Sequence, residues 1–471
     1  MTARLASDFG RHFLLVFGSQ LVVLASGLIK ALVVPVVLGV SDYGYWQIYV
    51  FYAVYVGVFT LGHNDGIYLK YGGYRFEELP FATLRASNMM HLLILALGAA
   101  MIAVFAASAT DPQRELVFFA VAANILILGT TSNISLSLQA ANRMKGFAFL
   151  NAADKIFFTI ALLALFDPQW RSFWFLIAVD LFGKTAVLVA LLFRYRQLYV
   201  GPFAGIVVAW AEFRENLGSG IQLMIANLSG MLVLGIGRII IEYFGSLDSY
   251  SYYAFSISLA NVVLMSVTAM SVVLYPSLKR QEQASYIGHF ERTNAAYSGF
   301  SLLMVTSYFA ALAFILTVAK SYAPVIEFLN VIFVITALQG KMQLVNNTFY
   351  KALRLEGPML RANLMSLVIA AGLSALGYIL THSLVSIAYA TLLTMLFRVY
   401  ASEIFLRWHM SSRWTWGPLL EAAVLANFLG VTTFLPPFPA FLVWSLVVVL
   451  ILVYNREQLA SLMRGIRSRV P

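Results

Sequence analysis

Residues 13–38 read FLLVFGSQLVVLASGLIKALVVPVVL, and Lys30 is the one charged side chain in this apolar stretch. About twenty apolar residues in an α-helix span a hydrocarbon core of about 30 Å. Arg4 and Arg11 precede the stretch, which is too long for the core of a cleaved signal peptide. We therefore predict an uncleaved first membrane helix.

The rest of the chain has the same apolar character. Of its 471 residues, 61% are hydrophobic and 11% are charged, whereas soluble domains carry about a quarter charged residues. The sequence contains no Cys, which excludes disulfides, iron–sulfur ligation and thiol catalysis. A net charge of +10 in such a chain indicates contact with the anionic cytoplasmic leaflet rather than with nucleic acid. Membrane lipids are thus the first predicted partners.

Apolar stretches separated by polar loops predict fourteen membrane helices. They lie near Phe13–Leu38, Tyr45–Gly62, Asn88–Ala107, Leu116–Leu138, Leu150–Phe166, Phe173–Phe193, Ile221–Ile241, Tyr252–Leu274, Ala296–Val318, Tyr322–Leu344, Leu364–Leu380, Leu384–Leu406, Leu419–Leu435 and Ala440–Tyr454. The last two are short and are divided by three prolines, so a re-entrant hairpin is the alternative there.

The basic residues test this division of the chain. If the N-terminus is cytoplasmic, 22 of the 31 Lys and Arg residues fall in inside segments and only Arg114, Arg171 and Lys320 fall outside. Cytoplasmic loops of membrane proteins carry an excess of Lys and Arg. An error in the helix count would assign loops to the wrong side and remove this excess. We predict a multi-pass protein of the cytoplasmic membrane with both termini in the cytoplasm.

An internal repeat organises the helices. Residues 141–146 (ANRMKG) follow the fourth helix, and residues 352–357 (ALRLEG) follow the tenth. Ser26-Gly27 in the first helix similarly matches Ser229-Gly230 in the seventh. Six helices separate equivalent positions, so the halves share one orientation and a pseudo-two-fold axis along the membrane normal. We predict an all-α protein with a six-helix lobe at 1–200, a second at 201–410, and two further helices with a tail at 411–471.

Two local motifs carry a resemblance to a known superfamily. They are residues 38–49 (LGVSDYGYWQIY) and residues 62–73 (GHNDGIYLKYGG). With the helix count and the repeat, they resemble the multidrug/oligosaccharidyl-lipid/polysaccharide exporter superfamily and, within it, the Wzx-type polysaccharide flippases. The resemblance implies export of an undecaprenyl-pyrophosphate-linked oligosaccharide to the outer leaflet by alternating access, for a surface polymer such as O-antigen or capsule. Polysaccharide polymerase machinery is an implied further partner.

Basic residues inside helices are the candidate substrate-binding groups. An anionic diphosphate crosses the apolar core only with the help of cationic groups in a hydrated cleft. Lys30 lies about 6 Å beyond the middle of the first helix, and Arg238 lies about one turn from the equivalent position in the seventh. Arg398 and Lys341 extend a cationic track. The alternatives are snorkelling for each of these side chains and, for Arg238, a surface bridge to Glu242.

Four other residues are candidates for gating or coupling. Asp180 and Lys184 stand four apart on one helix face, which favours mutual neutralisation over a role for Asp180 in coupling to a proton or sodium ion. Asn64 and Asp65 follow the second helix, where they gate the cytoplasmic mouth or cap the loop.

Three functions compete at this stage. They are the lipid-linked oligosaccharide flippase, a cation-coupled multidrug exporter of the same superfamily, and a membrane polysaccharide polymerase or ligase. The exporter requires deep carboxylates, of which only Asp180 qualifies, and the enzyme requires a large external loop that the chain lacks. The six His residues show no metal-ligand spacing and no Walker A motif is present, so we predict no enzyme activity, no cofactor and no metal.

Overall fold

The computed structural model of the chain describes residues 22–141, 143, 145–279, 285–412 and 415–454. These residues contain helices and turns and no β-strand. The helices are α1 (Val22–Leu38), α2 (Val40–Tyr55), α3 (His63–Lys70), α4 (Phe81–Ala107), α5 (Pro112–Ala140), α6 (Lys145–Ala161), α7 (Phe173–Arg194), α8 (Ile206–Phe244), α9 (Leu247–Lys279), α10 (Tyr286–Thr306), α11 (Tyr308–Thr317), α12 (Ile326–Lys341), α13 (Asn347–Ala352), α14 (Glu356–Thr381), α15 (Leu384–His409), α16 (Gly417–Phe434) and α17 (Pro437–Tyr454).

Each of the fourteen predicted membrane helices has a counterpart among the described residues. Ten segments are long and apolar enough to cross a membrane, and α1 and α17 are shorter apolar helices. Helices α2 and α6 reach a similar length through the 3₁₀ segments Val56–Thr60 and Leu162–Phe166. The all-helical polytopic class is confirmed, while the predicted start of the first helix at residues 13–21 lies outside the described residues.

Local sequence sets several helix ends. The carboxylate of Asp111 accepts a hydrogen bond from the backbone amide of Gln113 at 2.9 Å, just before Pro112 opens α5. The Ser383 hydroxyl caps α15 in the same way through the amide of Val385 at 3.2 Å. Side-chain caps of this kind satisfy amides that have no partner within the helix. Between α12 and α13 the chain forms a π-helical turn at Met342–Asn346, a feature common near functional sites.

Two compact units divide the chain, Met1–Ser229 and Gly230–Pro471. The boundary falls inside α8, which has 39 residues and is therefore about 58 Å long. Within the second unit, the segment Lys320–Ala352 is the most buried of the membrane-crossing segments, and Glu356–Thr381 is the least buried. The lobe boundaries and the symmetry axis predicted from the repeat remain predictions.

Helix α3, which the hydropathy pattern does not reveal, is fixed against α8 in the first unit. A Cβ atom on Gly66 would lie 2.0 Å from the carbonyl oxygen of Asn216, and one on Gly220 would lie 1.9 Å from that of Gly62. Small residues at such positions let two backbones touch. The backbone of α3 is thereby held directly on α8.

An ion pair fixes the other end of α3. The Lys70 ammonium lies 2.7 Å from a carboxylate oxygen of Glu212 and 2.7 Å from one of Glu215. Partial burial opposes the charge on Lys70, but the hydrogen bonds from these two carboxylates outweigh that effect and raise the pKa of Lys70. The contact between α3 and α8 is therefore polar at one end and glycine-mediated at the other.

Candidate functional site

Lys30 occupies an aromatic site in the first unit. Its Nζ atom lies 4.5 Å from the ring centre of Trp46 and 4.5 Å from that of Phe158. The two rings are stacked with centres 5.8 Å apart, and both side chains are buried. A cation over the faces of two aromatic rings gains from their quadrupoles, but the rings carry no opposite net charge.

Asp180 and Lys184 belong to the same cluster. The Lys184 ammonium lies 2.5 Å from Oδ2 of Asp180, and the Tyr49 hydroxyl donates to the same oxygen at 2.6 Å. Asn124 donates to the Tyr49 hydroxyl at 2.7 Å. The charge of Asp180 also acts on Lys30. Three candidates from the sequence, the substrate-binding Lys30 and the coupling residues Asp180 and Lys184, are thus brought together by α1 and α7.

The charge balance of this cluster is positive. Lys155 is paired with Asp154 at 2.7 Å, and Lys184 is paired with Asp180. Within the described residues, no carboxylate oxygen lies within 4.0 Å of the Lys30 ammonium. The cluster therefore carries one cation more than its carboxylates neutralise.

Arg398 is the corresponding cation of the second unit. It is 2% exposed, and its Nε and Nη2 atoms donate to the side-chain oxygen of Asn363 at 3.0 and 2.8 Å. Nη1 donates to the carbonyl of Gly230 at 3.2 Å and to the side-chain oxygen of Gln339 at 3.5 Å. Every one of these acceptors is neutral, and none of the described carboxylates lies within 4.0 Å of the guanidinium.

A small pocket lies in the same unit. Its lining comes from α8, α9, α12 and α15 and comprises Leu234, Tyr253, Ile257, Asn261, Leu264, Ile332, Ile335, Thr336, Gln339 and Thr391. Gln339 joins the pocket to Arg398, while the charge of Arg238 acts on Tyr253. Two predicted cations therefore border one partly polar pocket.

Lys341, the fourth predicted substrate-binding residue, has a different environment. Its ammonium lies 2.8 Å from Glu403 and forms a closer ion pair with Glu421. Glu403 is also paired with Arg407 at 2.8 Å, and Arg407 reaches Glu291 at 2.5 Å. These five residues, which we term the α10–α16 ion network, join helices α10, α12, α15 and α16. Lys341 is 2% exposed in its side chain and Glu403 is 1% exposed.

Asn64 lies in a buried amide network of the first unit. Its side-chain nitrogen donates to the carbonyl of Gly129 at 3.2 Å, and its oxygen accepts from Asn133 at 3.0 Å. Asn133 also donates to Asn88 at 3.2 Å and accepts from the Tyr199 hydroxyl at 2.8 Å. The network ties α3 to α4 and α5, at the place where the sequence predicts a gate.

Asp65 is half-buried on the same short helix, and burial raises its pKa to about 6. An unfolded Asp ionises near pH 3.9, so between about pH 4 and pH 6 Asp65 is protonated in the folded state and ionised in the unfolded state. The folding free energy therefore becomes less favourable as the pH rises through this range. We expect Asp65→Asn to stabilise the purified protein more at pH 7.5 than at pH 5. Thermal unfolding in detergent at both pH values measures the difference, and equal gains would contradict the assignment.

Several candidate residues were missed in the sequence. The sequence predicts no role for Asn124, Gln339 and Asn363. The signal was present, because an amide side chain inside an apolar helix is costly unless it has a partner. Which partner each amide finds depends on how the helices pack.

Comparisons with known proteins place this fold. No protein-family model and no curated protein matches the sequence. The structure is similar to the lipid II flippase MurJ in an inward closed conformation, with a TM-score of 0.67 and 15% identity over 95% of this chain and 99% of that one.

Two multidrug transporter structures are also similar. One is a variant of the Vibrio cholerae MATE transporter VcmN, with a TM-score of 0.53 and 13% identity over 88% of this chain and 98% of that one. The other is an inward-facing MATE transporter of the MOP superfamily, with a TM-score of 0.51 and 10% identity over 82% and 98%. The chain therefore has the fold that MurJ and the MATE transporters share.

Proposed function

We propose that this chain is a transporter of the multidrug/oligosaccharidyl-lipid/polysaccharide exporter superfamily that flips lipid-linked oligosaccharides. Its cargo is a polyprenyl-diphosphate-linked repeat unit, which it moves from the cytoplasmic to the outer leaflet of the bacterial inner membrane by alternating access. The similarity to a lipid II flippase along nearly the whole chain supports this class. In this proposal both termini are cytoplasmic, as the distribution of basic residues predicts.

The observation that carries the proposal is that each unit holds a cation, Lys30 in one and Arg398 in the other, that has no carboxylate partner among the described residues. An ionised group inside a membrane protein is expensive unless it is paired or faces a hydrated cavity. The diphosphate of a lipid-linked sugar supplies the missing negative charge during transport. Arg398 suits this role because its planar guanidinium binds phosphate oxygens with two parallel hydrogen bonds.

The pocket beside Arg398 presents polar groups that could contact the same cargo as the transporter opens. Tyr253, Asn261, Thr336 and Gln339 offer hydroxyl and amide groups, and apolar side chains complete the lining. Sites of this composition orient a ligand with a few polar contacts. Arg238 lies close enough to Tyr253 of this pocket for its charge to act on the phenol. Lys341 is assigned to the α10–α16 ion network instead, because two carboxylates already neutralise it.

The coupling residues are a further part of the proposal. Asp180 bonds to both Lys184 and Tyr49, so a proton or sodium ion that bound there would release Lys184 and reduce the attraction on Lys30. Asn64 and Asp65 act at the cytoplasmic gate in this scheme. The hydrogen bonds of Asn64 with Gly129 and Asn133 of α5 support it.

A cation-coupled multidrug exporter is the second candidate, since the MATE transporters share the fold. It is less well supported, because the cluster around Lys30 has an excess of positive charge, which repels cationic drugs. A membrane polymerase or ligase has no support from these neighbours, all of which are described as transporters or flippases.

Deletion of the gene tests the proposal. We expect the host to accumulate lipid-linked saccharide in the inner leaflet and to lose the corresponding surface polymer, without becoming more sensitive to cationic dyes. The measurements are lipid extraction and surface-polymer staining. Dye sensitivity with a normal surface polymer would favour the multidrug exporter and contradict the flippase.

The variant Arg398→Gln tests the cation of the second unit. We expect it to reduce the surface polymer at least tenfold, because the amide keeps hydrogen bonds but loses the charge that attracts a diphosphate. The exposed Arg361→Gln on α14 is the matched control. Equal polymer from both variants would remove Arg398 from the site.

A further inference from the structure

Two histidines form a stacked pair in the interior of the first unit. His63 begins α3 and His91 lies in α4, and both are fully buried. Their ring centres are 4.8 Å apart, with 28° between the ring planes. Phe213 of α8 covers His63 at 5.1 Å. The proposed transport site does not use either side chain.

Hydrogen bonding determines the tautomer of His63. Asn88 donates through its amide nitrogen to the carbonyl of Leu198 at 3.1 Å, so its side-chain oxygen is an acceptor. That oxygen lies 3.4 Å from Nε2 of His63, which must therefore carry the hydrogen. Nδ1 of the neutral ring is then a lone pair, and no described protein group bonds to it.

His91 has even fewer partners. Neither of its ring nitrogens is bonded to a described protein group, and both are inaccessible to solvent. A neutral imidazole has one N–H donor and one lone pair. The pair thus buries two lone pairs and one donor without protein partners, an arrangement that costs stability and occurs where a group has a functional role.

Charged and titratable groups lie on several of the segments packed around the pair. Arg85 of α4 donates to the carbonyls of Gln197 and Pro202. The carboxylate of Glu212 on α8 acts on His63, and it also holds Lys70, Tyr71 and Asn216. Asp65 lies two residues after His63 on α3. Toward α5 the neighbours of the pair are the amide side chains of Asn64 on α3, Asn88 on α4 and Asn133 on α5. The Tyr199 hydroxyl donates to Asn133. Glu212 is therefore the counter-charge available to an imidazolium at His63.

We propose that the His63–His91 pair is a proton-binding site, and that proton uptake separates α3 from α4. The inference rests on the proposed function and deepens it, because it names the coupling ion as a proton and places a second proton acceptor away from Asp180. A proton on Nδ1 of His63 makes both ring nitrogens donors, and the 3.4 Å contact of Nε2 with Asn88 of α4 is broken when the two helices separate. The two stacked rings repel each other once both are charged.

The direction of the pH effect follows from burial. Burial lowers the pKa of His63 to about 4 in this conformation, against the opposing effects of Asn88 and Glu212. A solvent-exposed His has a pKa of about 6.5. Between pH 4 and pH 6.5 the separated conformation binds the proton and the packed one does not. Each fall of one pH unit in this range therefore raises the equilibrium constant for separation about tenfold for each histidine that takes up a proton.

The absence of native Cys makes a distance measurement straightforward. Spin labels at Leu69→Cys on α3 and Leu97→Cys on α4, both exposed sites, report on the separation in full-length protein in nanodiscs. We expect a second, longer distance to grow between pH 7.5 and pH 5.5. The double variant His63→Phe/His91→Phe, which keeps two stacked rings, should remove this change, while His382→Asn at an exposed turn should not.

If the double variant does not fold, His91→Phe alone is expected to reduce the pH dependence from two protons to one. A distance distribution that stays constant over this range, or a pH dependence that survives in the double variant, would overturn the proposal. Loss of surface polymer on gene deletion is measured separately. If the distance depends on pH but the protein does not flip lipid, the proton site is supported and the proposed function is contradicted.

Discussion

Replacing Lys30 by Ala is expected to abolish surface polymer while leaving the amount of protein in the membrane unchanged. Lys30 is the cation of its cluster that has no carboxylate within reach among the described residues, and it is held between the rings of Trp46 and Phe158. Its removal takes away the charge that compensates a diphosphate inside the membrane. Surface-polymer staining and an immunoblot of the membrane fraction measure the two quantities.

The matched control is Lys155→Ala. Lys155 lies in the same cluster, but Asp154 neutralises it, so we expect this variant to retain most of the polymer. Lys30→Arg keeps the charge and should restore part of the activity. Normal polymer with Lys30→Ala would remove Lys30 from the transport site.

The second large effect is expected in the α10–α16 ion network. Replacing Lys341 by Met leaves Glu403 with Arg407 alone and Glu421 with no described cation within 4.0 Å. Removing one partner of a buried ion pair costs about 3–5 kcal/mol, because a charge is left uncompensated. We therefore expect a clear fall in the thermal unfolding temperature of the purified protein.

Two further variants sharpen this test. The exposed Lys320→Met at the start of the same segment is the control and should change the unfolding temperature little. Adding Glu421→Leu to Lys341→Met removes both members of one pair and leaves Glu403 with Arg407, so it should restore much of the loss. A double variant no more stable than Lys341→Met would show that the Lys341–Glu421 pair is not the origin of the effect.

The helices could be predicted from the sequence because the membrane imposes one length and one hydropathy on each. The basic residues of the loops support the same division. Helix α3 could not be predicted in this way, because it is short and polar. It is held by glycine contacts with α8 that exist only in the folded protein. The length of α8 could not be predicted in this way either, because its first turns continue beyond the apolar window.

The candidate sites could be predicted only in part. Basic residues inside apolar helices stand out, and so Lys30 and Arg398 were identified. Their partners were not, because Glu403 and Glu421 neutralise Lys341 from helices far away in the sequence. Among the residues that the structure describes, no such carboxylate lies beside Arg398. Helix pairing decides between these two outcomes, and a single sequence without an alignment does not reveal it. The scattered positions of His63 and His91 hid their stacking for the same reason.

The central claim is transport of an anionic lipid-linked saccharide, and a flipping assay in proteoliposomes tests it most directly. The substrate is a fluorescent polyprenyl-diphosphate oligosaccharide, and a membrane-impermeant reductant bleaches the molecules exposed in the outer leaflet. Wild-type protein should increase the bleached fraction beyond that of empty liposomes, whereas Lys30→Ala and Arg398→Gln should not. A bleached fraction equal to that of empty liposomes, in vesicles where the same protein moves a cationic dye, would contradict the account.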